Sequence, residues 1–311
     1  MLHRFRDEET EVGGHDVHEL RRTLEYLRKH RYDLVGIEDL VRRLRGEGPP
    51  PNRSVAFTID DGYRNHATVA CPLFAEFDCP ATTFVTTGFL DGEIWLWWDQ
   101  IEFIFSHADR PEVVVDLARS ELVYRCSTDH ERRRAITDFT TRCKLVSDDD
   151  RRAGIAALAE AATVRLPTDP PARYAPMTWE QLRSCEKRGM TFGPHTVTHP
   201  NLSRTSDAQS RRELVDSWRR LQSEASHPVP VFCYPNGQWD DFGEREITTL
   251  GEIGFVGAVS AVNGYADATR TRLEPQGAFK VRRFGYPDSL PHTIQIVSGL
   301  ERVKEILRGG D

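Results

Sequence analysis

Apolar residues recur at helical spacing near the start of the chain and in short β-branched runs after it. Over residues 16–30 the apolar positions share one helical face, which predicts an amphipathic helix capped by Asp16. The positions on that face are Val17, Leu20, Leu24 and Leu27. Strands are then predicted at 32–37, 54–60 and 81–87, and helices at 38–45 and 65–77.

The same alternation returns after residue 175. A helix over 178–188 is predicted to open with a T-x-x-Q capping box, and a helix over 207–225 to be capped by Ser206. Further strands are predicted at 190–194, 229–234 and 255–260, with a helix at 243–251. Strands that alternate with helices predict an α/β fold whose parallel sheet is closed, or nearly closed, into a barrel.

Residues 91–175 interrupt this alternation of strands and helices. The segment opens with clustered aromatic residues and continues with charged helical stretches at 129–144 and 148–163. We interpret it as a mainly helical insertion on one domain that spans residues 1–311. Because clustered aromatic side chains usually pack in a core, at least two of Trp95, Trp97 and Trp98 are expected to be buried. The charged runs ERRR (131–134) and RRE (211–213) are expected to be solvated helix faces.

Composition limits the class of protein. The chain has 311 residues, of which 39% are hydrophobic, and a net charge of -7. An acidic protein is a poor match for nucleic acid or an anionic membrane surface. No apolar run approaches the roughly 20 residues that cross a bilayer. No leader-like apolar segment opens the sequence, and the six cysteines form no CxxC pair. We therefore expect a cytoplasmic protein with reduced cysteines and no stable membrane insertion.

Two short motifs carry the candidate chemistry. The sequence FTIDDGY places Asp60 and Asp61 after a predicted strand, and GPHTVTHPNL places His195 and His199 four positions apart. Parallel α/β barrels put their catalytic groups at the carboxyl ends of strands. Two imidazoles and one carboxylate are a usual ligand set for catalytic Zn²⁺, and the second carboxylate is then free to act as a base. The pair of motifs predicts metal-assisted hydrolysis.

These motifs resemble those of the polysaccharide deacetylases of the NodB-homology type, carbohydrate esterase family 4. The family's T-F-D-D-G is TIDDG here, with Ile59 in place of phenylalanine, and its H-[ST]-x-x-H is HTVTH. The resemblance implies a distorted (β/α)₇ barrel. It also implies that Asp60 is the general base and that Asp61, His195 and His199 hold a divalent metal. Zn²⁺ is the expected metal, with Ni²⁺, Co²⁺ and Fe²⁺ as alternatives.

The third family motif is only partly present in FCYPNGQW, residues 232–239. Asn236 lies where the family takes the backbone N–H of its oxyanion hole. Cys233 lies where the family has an arginine that orients the base. The resemblance therefore requires a substitute, and KVRRFGYP offers Arg283 or, as a weaker candidate, Arg282.

The general acid has two candidates. In a circularly permuted branch of the family, a Y-H-x strand precedes the DDG motif, and MLHRF then places His3 in that role. The alternative is His292, in SLPHTIQIV. We expect Trp239, Tyr63 and Trp98 to contact substrate.

Together these features predict a metal-dependent deacetylase that removes an N-acetyl group from an amino sugar. The sugar would belong to an oligosaccharide, a polysaccharide, or a lipid-linked or nucleotide-linked precursor. One alternative is an allantoinase-type hydrolase of a cyclic amide. Another is an inactive barrel that binds carbohydrate, suggested by the displaced arginine. A two-metal phosphoesterase would need additional carboxylates that the sequence does not cluster. The pattern leaves the oligomeric state open.

Overall fold

The computed structural model describes residues 1–7, 10, 12–274, 276–287 and 289–302. Through residue 90, short strands alternate with helices, as the pattern predicts. The elements are α1 (Val17–Lys29), β1 (Asp33–Leu34), α2 (Ile37–Arg45), β2 (Ser54–Val55), β3 (Thr58–Asp61), a π-helix (His66–Ala70), α3 (Cys71–Glu76), β4 (Thr82–Val85) and α4 (Thr87–Leu90). Asp16 caps α1 by accepting hydrogen bonds from the backbone N–H groups of His18 and Glu19.

Two predicted elements in this part are divided. The strand expected at 54–60 splits because β2 pairs with β1, whereas β3 pairs with β4. The helix expected at 65–77 is interrupted by a π-helix over His66–Ala70 and continues as α-helix from Cys71. Pro72 lies in the first turn of α3, where its missing N–H removes a bond that would extend an α-helix backwards.

A second series of elements follows residue 90. It comprises α5 (Trp97–Ser106), β5 (Glu112–Leu117), β6 (Ser120–Arg125), α6 (Asp129–Cys143), α7 (Asp148–Ala161), α8 (Trp179–Glu186), β7 (Thr191–Pro194), α9 (Asp207–Glu224), β8 (Val231–Cys233), α10 (Glu244–Glu252), β9 (Gly257–Val259), α11 (Ala268–Leu273) and α12 (Leu290–Val297). Single 3₁₀ turns lie at Ala172–Tyr174, Leu202–Arg204 and Gly277–Phe279. Thr178 and Gln181 form the predicted capping box of α8. Ser206 caps α9 by accepting from the backbone N–H of Gln209.

The strands that carry the two motifs are neighbours. β3, β4 and β7 form a parallel sheet in that order, with Asp60 opposite Phe84 and Phe84 opposite Gly193. β8 pairs in parallel with β9. Gly193 is required here, because a Cβ would lie 2.7 Å from both the Phe84 ring and the Val231 carbonyl oxygen. Parallel pairing brings the carboxyl ends of β3 and β7 to one edge, where the candidate ligands lie.

The architecture is α/β, but the ladders among the described residues are small. They form sheets of two or three strands and no continuous barrel ladder. Isolated parallel bridges extend the pairing beyond them, joining Leu2 to Ile59, Phe192 to Pro228 and Val259 to Val281.

Residues 97–164 have a hydrophobic core of their own. α5, α6 and α7 pack around an antiparallel β5–β6 hairpin, with Phe105, Phe139 and Leu158 fully buried between them. The hairpin was not predicted. Trp97 is 6% exposed in this core, and Trp95 is 9% exposed against Phe103 and Tyr174. The expectation that two of the three tryptophans pack in a core is therefore confirmed.

Within the residues that the structure describes, no helix combines the length and apolarity needed to cross a bilayer. All six cysteines are buried and free.

Candidate metal centre and active site

The structure brings the three predicted metal ligands together. The Nε2 atoms of His195 and His199 each lie 3.7 Å from Oδ1 of Asp61. All three side chains are buried, and one ligand atom of each lies within 4.8 Å of the others. Ligand atoms around a tetrahedral Zn²⁺ with bonds of 2.0–2.1 Å are about 3.4 Å apart, so the spacing fits one ion.

The protonation of these groups also fits a cation. Nδ1–H of His195 donates to the Cys233 carbonyl oxygen at 2.7 Å, which leaves the Nε2 lone pair free for a metal. Burial lowers the pKa of His195 and His199, so both imidazoles stay neutral. Burial, and next the charge of Asp60, raise the pKa of Asp61 well above its usual value. A bound dication would offset that cost.

Backbone strain is concentrated at the centre. Asp61, Thr196, His199 and Asn236 have φ values of +88°, +68°, +55° and +57°. Non-glycine residues rarely adopt these angles, each at a cost of about 1–3 kcal/mol, and keep them only where the surroundings impose them. The Oγ1 of Thr196 accepts a hydrogen bond from the backbone N–H of His199 at 2.9 Å. The loop is thereby folded so that both imidazoles face Asp61.

Glu213 of α9 accepts three hydrogen bonds from the same loop. One carboxylate oxygen accepts from the backbone N–H groups of Val197 and Thr198, at 2.7 and 2.9 Å. The other accepts from the Thr198 hydroxyl at 2.6 Å. Glu213 is only 7% exposed. The expectation that 211–213 is a solvated face is wrong for this residue, because the loop needs a buried acceptor there.

The predicted base has a fixed partner. Arg283 forms a bidentate pair with Asp60, donating from Nη1 at 2.8 Å and from Nη2 at 2.9 Å. Burial opposes the ionisation of Asp60, but the Arg283 charge outweighs it and holds the pKa of Asp60 below its usual range. The Cys233 sulfur accepts from Arg283 at 3.2 Å. Of the two candidate arginines, the structure therefore brings Arg283 to the base, whereas Arg282 lies over the Trp239 ring.

The N-terminal segment lies beside β3. The Leu2 N–H donates to the Thr58 carbonyl oxygen at 2.8 Å, and the Asp60 N–H donates to the Leu2 carbonyl oxygen at 3.0 Å. Buried His66 donates from Nε2 to the His3 carbonyl oxygen at 2.6 Å. His3 is consequently held in the wall of the cavity.

A cavity of about 460 Å³ lies in front of these groups. Its lining residues include His3, Asp60, Asp61, Tyr63, Trp98, His195, His199, Asn236 and Arg283. His292 is exposed on α12 and does not line it. Trp239, which was expected to contact substrate, does not line it either. Its 43%-exposed ring borders a neighbouring depression, edge-on to Phe242.

Tyr63 and Trp98 are fixed by a buried chain of hydrogen bonds. Trp98 donates from Nε1 to the Tyr63 hydroxyl, which donates to Asp99, both at 2.8 Å. Burial raises the pKa of Asp99 to about 7. The Trp98 ring meets His199 edge-on, with centroids 4.6 Å apart. The Tyr63 hydroxyl is thereby engaged both as an acceptor and as a donor.

Comparison with known proteins identifies one matching family. A family model described as polysaccharide deacetylase matches residues 47–122 and 161–251. No curated protein matches the chain.

Similar solved structures cover nearly the whole chain. One is the Streptococcus pyogenes deacetylase PplD in complex with acetate, at 17% identity, covering 94% of each chain with a TM-score of 0.59. Another is a de-N-acetylase from Aggregatibacter actinomycetemcomitans, at 14% identity, covering 95% of this chain and 97% of that one with a TM-score of 0.54. IcaB from Ammonifex degensii is 16% identical, covering 91% and 88% with a TM-score of 0.52. At these identities the similarity shows a shared fold.

Proposed function

The chain belongs to the polysaccharide deacetylase family, and from that premise we propose that it removes the N-acetyl group of an amino sugar with the help of a divalent metal. The observation that carries the proposal is the Arg283–Asp60 pair beside the cluster of Asp61, His195 and His199. A base held ionised next to an Asp/His/His cluster fits metal-assisted hydrolysis of an amide.

Each group has a proposed task. A divalent metal held by Asp61, His195 and His199 would lower the pKa of water and polarise the acetamide carbonyl. Asp60 takes a proton from the attacking water, and Arg283 keeps that carboxylate oriented. The backbone N–H of Asn236 donates to the oxygen that gains negative charge.

The reaction then ends with cleavage of the C–N bond. His3 gives a proton to the leaving nitrogen, and the products are acetate and a free amine. The position of His3 beside Asp60 in the cavity wall supports this role. In this proposal His66 acts only by holding the His3 backbone.

We further propose that the parallel segments close into the distorted (β/α)₇ barrel typical of the family. The Tyr286 N–H donates to the Met1 carbonyl oxygen at 2.8 Å, and Leu2 is bridged to Ile59 of β3. These contacts link the last extended segment to the first, which supports closure.

Residues 91–175 are then an insertion that shares the site of a single domain. Trp97, Trp98, Thr140 and Lys144 come from this segment and line the same cavity as the β3 and β7 ends. The contribution of both segments to one cavity wall supports the proposal that they belong to one domain.

The test is acetate release from N-acetylglucosamine oligomers by purified protein. Metal removed with a chelator is expected to abolish release, and added Zn²⁺ or Co²⁺ to restore it. Asp61→Ser is expected to lose both metal and activity. Asp149→Ser is a matched control, because Asp149 is an exposed side chain outside the cavity.

Three outcomes would contradict the proposal. Equal release with and without metal would remove the metal from the reaction. Hydrolysis of allantoin without release from any amino sugar would favour the cyclic-amide alternative. Stoichiometric metal binding with no turnover of either substrate would favour a carbohydrate-binding barrel.

A further inference from the structure

The candidate active-site cavity is cationic although the chain is acidic. Three cationic side chains, Arg4, Lys144 and Arg283, line it against two carboxylates, Asp60 and Asp61. The whole chain carries a net charge of -7. A bound dication would make the cavity more positive still. The lining therefore favours a ligand that carries a negative charge in addition to its neutral amide.

Two of the three cations already have partners. Arg283 is paired with Asp60 in the geometry described above. Arg4 lies 3.5 Å from the buried Asp99 carboxylate, and its guanidinium lies over the Tyr63 ring, 4.8 Å from the centroid. Lys144 differs, because no carboxylate of the described residues lies within 4.0 Å of its ammonium. Of these three cations, Lys144 is therefore the one that makes no direct ion pair among the described residues, although the Asp241 carboxylate lies near enough to interact with its charge.

The position of Lys144 is fixed by the fold. It is the C-cap residue that follows α6, and the last turn of the helix buries Phe139 and Cys143 in the core of the 97–164 segment. Asn201 donates from Nδ2 to the Lys144 carbonyl oxygen at 3.4 Å and to Asp241 Oδ1 at 2.7 Å. Since Asn201 follows His199 by two residues, this contact ties the end of α6 to the loop that carries the candidate ligands.

We propose that the substrate carries an anionic group, a carboxylate or a phosphate, near the acetamido sugar, and that Lys144 binds it. This inference rests on the proposed deacetylase function and narrows its substrate class. Lys144 is exposed while it lines the cavity, so its ammonium can reach such a group through a charge-assisted hydrogen bond. Lys144 would thus determine specificity without touching the reacting atoms.

The test compares kcat/KM for acetate release from three substrates by the metal-loaded full chain. These are chitotetraose, the same tetrasaccharide oxidised to carboxylates at C6, and UDP-N-acetylglucosamine. The first two share one backbone, so their ratio isolates the carboxylate, and the third supplies phosphate. At low salt, wild-type protein is expected to prefer at least one acidic substrate over chitotetraose by about tenfold or more.

Lys144→Met should reduce that preference about tenfold, chiefly by raising KM for the acidic substrate. Lys187→Met is the matched control, because Lys187 is exposed, does not line the cavity and changes the net charge equally. Which acidic substrate is preferred identifies the source of the charge. Faster turnover of chitotetraose than of both acidic substrates, or a preference that survives Lys144→Met, would overturn the inference alone. No acetate from any substrate would overturn the proposed function as well.

Discussion

Replacing Glu213 tests whether its buried carboxylate stabilises the positive-φ loop that carries His195 and His199. Glu213→Leu removes the acceptor for two backbone N–H groups and the Thr198 hydroxyl. An orphaned buried donor costs about 1–3 kcal/mol. Burial raises the pKa of Glu213, so the substitution also removes the cost of a buried charge and offsets part of the loss. We expect the free energy of unfolding to fall by about 2–4 kcal/mol, and Tm by about 4–8 °C.

The loop should also hold its metal less well. Without the hydrogen bonds to Glu213, the positive-φ backbone at Thr196 and His199 can relax and turn the imidazoles away from Asp61. Loss of groups that orient metal ligands typically weakens metal affinity by 10–100-fold, and we expect about that loss here.

Glu213→Gln is the matched control. The glutamine oxygen can accept from both N–H groups, and its amide can donate to the Thr198 hydroxyl, which then acts as an acceptor. We therefore expect near-wild-type Tm and affinity for Gln and losses only for Leu. Thermal melting and calorimetric Zn²⁺ titration measure the two quantities. If the Leu variant binds Zn²⁺ as tightly as wild type, Glu213 does not position the ligands.

Three further changes test the remaining roles. Asp60→Asn should keep calorimetric metal binding but lose acetate release by about 10²-fold or more, because an amide cannot accept the proton; full activity would refute the base assignment. His3→Ala should lower kcat by about 10²-fold with an unchanged Tm, and near-normal turnover would eliminate His3 as the proton donor. Arg220→Met should destabilise the protein at pH 7 by about 1 kcal/mol, measured by denaturant unfolding. Burial opposes the ionisation of Asp91, but hydrogen bonds from Arg220 and Trp179 outweigh it and lower the pKa of Asp91. The stabilisation is therefore present above the unfolded-state pKa of 3.8 and lost as pH falls through the lower folded-state pKa, so the gap between wild type and variant should close in acid; a gap independent of pH would contradict this account.

Elements with a local signal could be predicted from the sequence. The capping box at Thr178 and the cap at Ser206 fix two helix starts through contacts within three residues. The β5–β6 hairpin shows why other elements could not. Burial alternates along β5, but its sequence EVVVDL contains three consecutive valines, and Ala118 and Arg119 form the turn at φ +50° and +67°. Such turns usually contain asparagine or glycine, so the sequence gives no hairpin signal there.

Part of the candidate site could likewise be predicted from the sequence, and part of it could not. Asp60, Asp61, His195 and His199 lie in contiguous motifs, and parallel pairing of their strands brings them together. Glu213 lies in a charged run on a helix, where local pattern predicts solvent exposure. Its burial depends on the loop that folds over α9, and no short-range sequence feature records that contact.

The partner of the base shows how one function can be kept with a different residue. Cys233 leaves space beside Asp60, and the Arg283 guanidinium fills it from another segment while donating to the sulfur. An arginine at 233 would bring a second buried cation against Arg283, a cost that one carboxylate could not offset. The pocket can therefore take its arginine from β8 or from the 281–286 segment, but not from both. The displaced motif, which suggested an inactive barrel, is thus compatible with an oriented base.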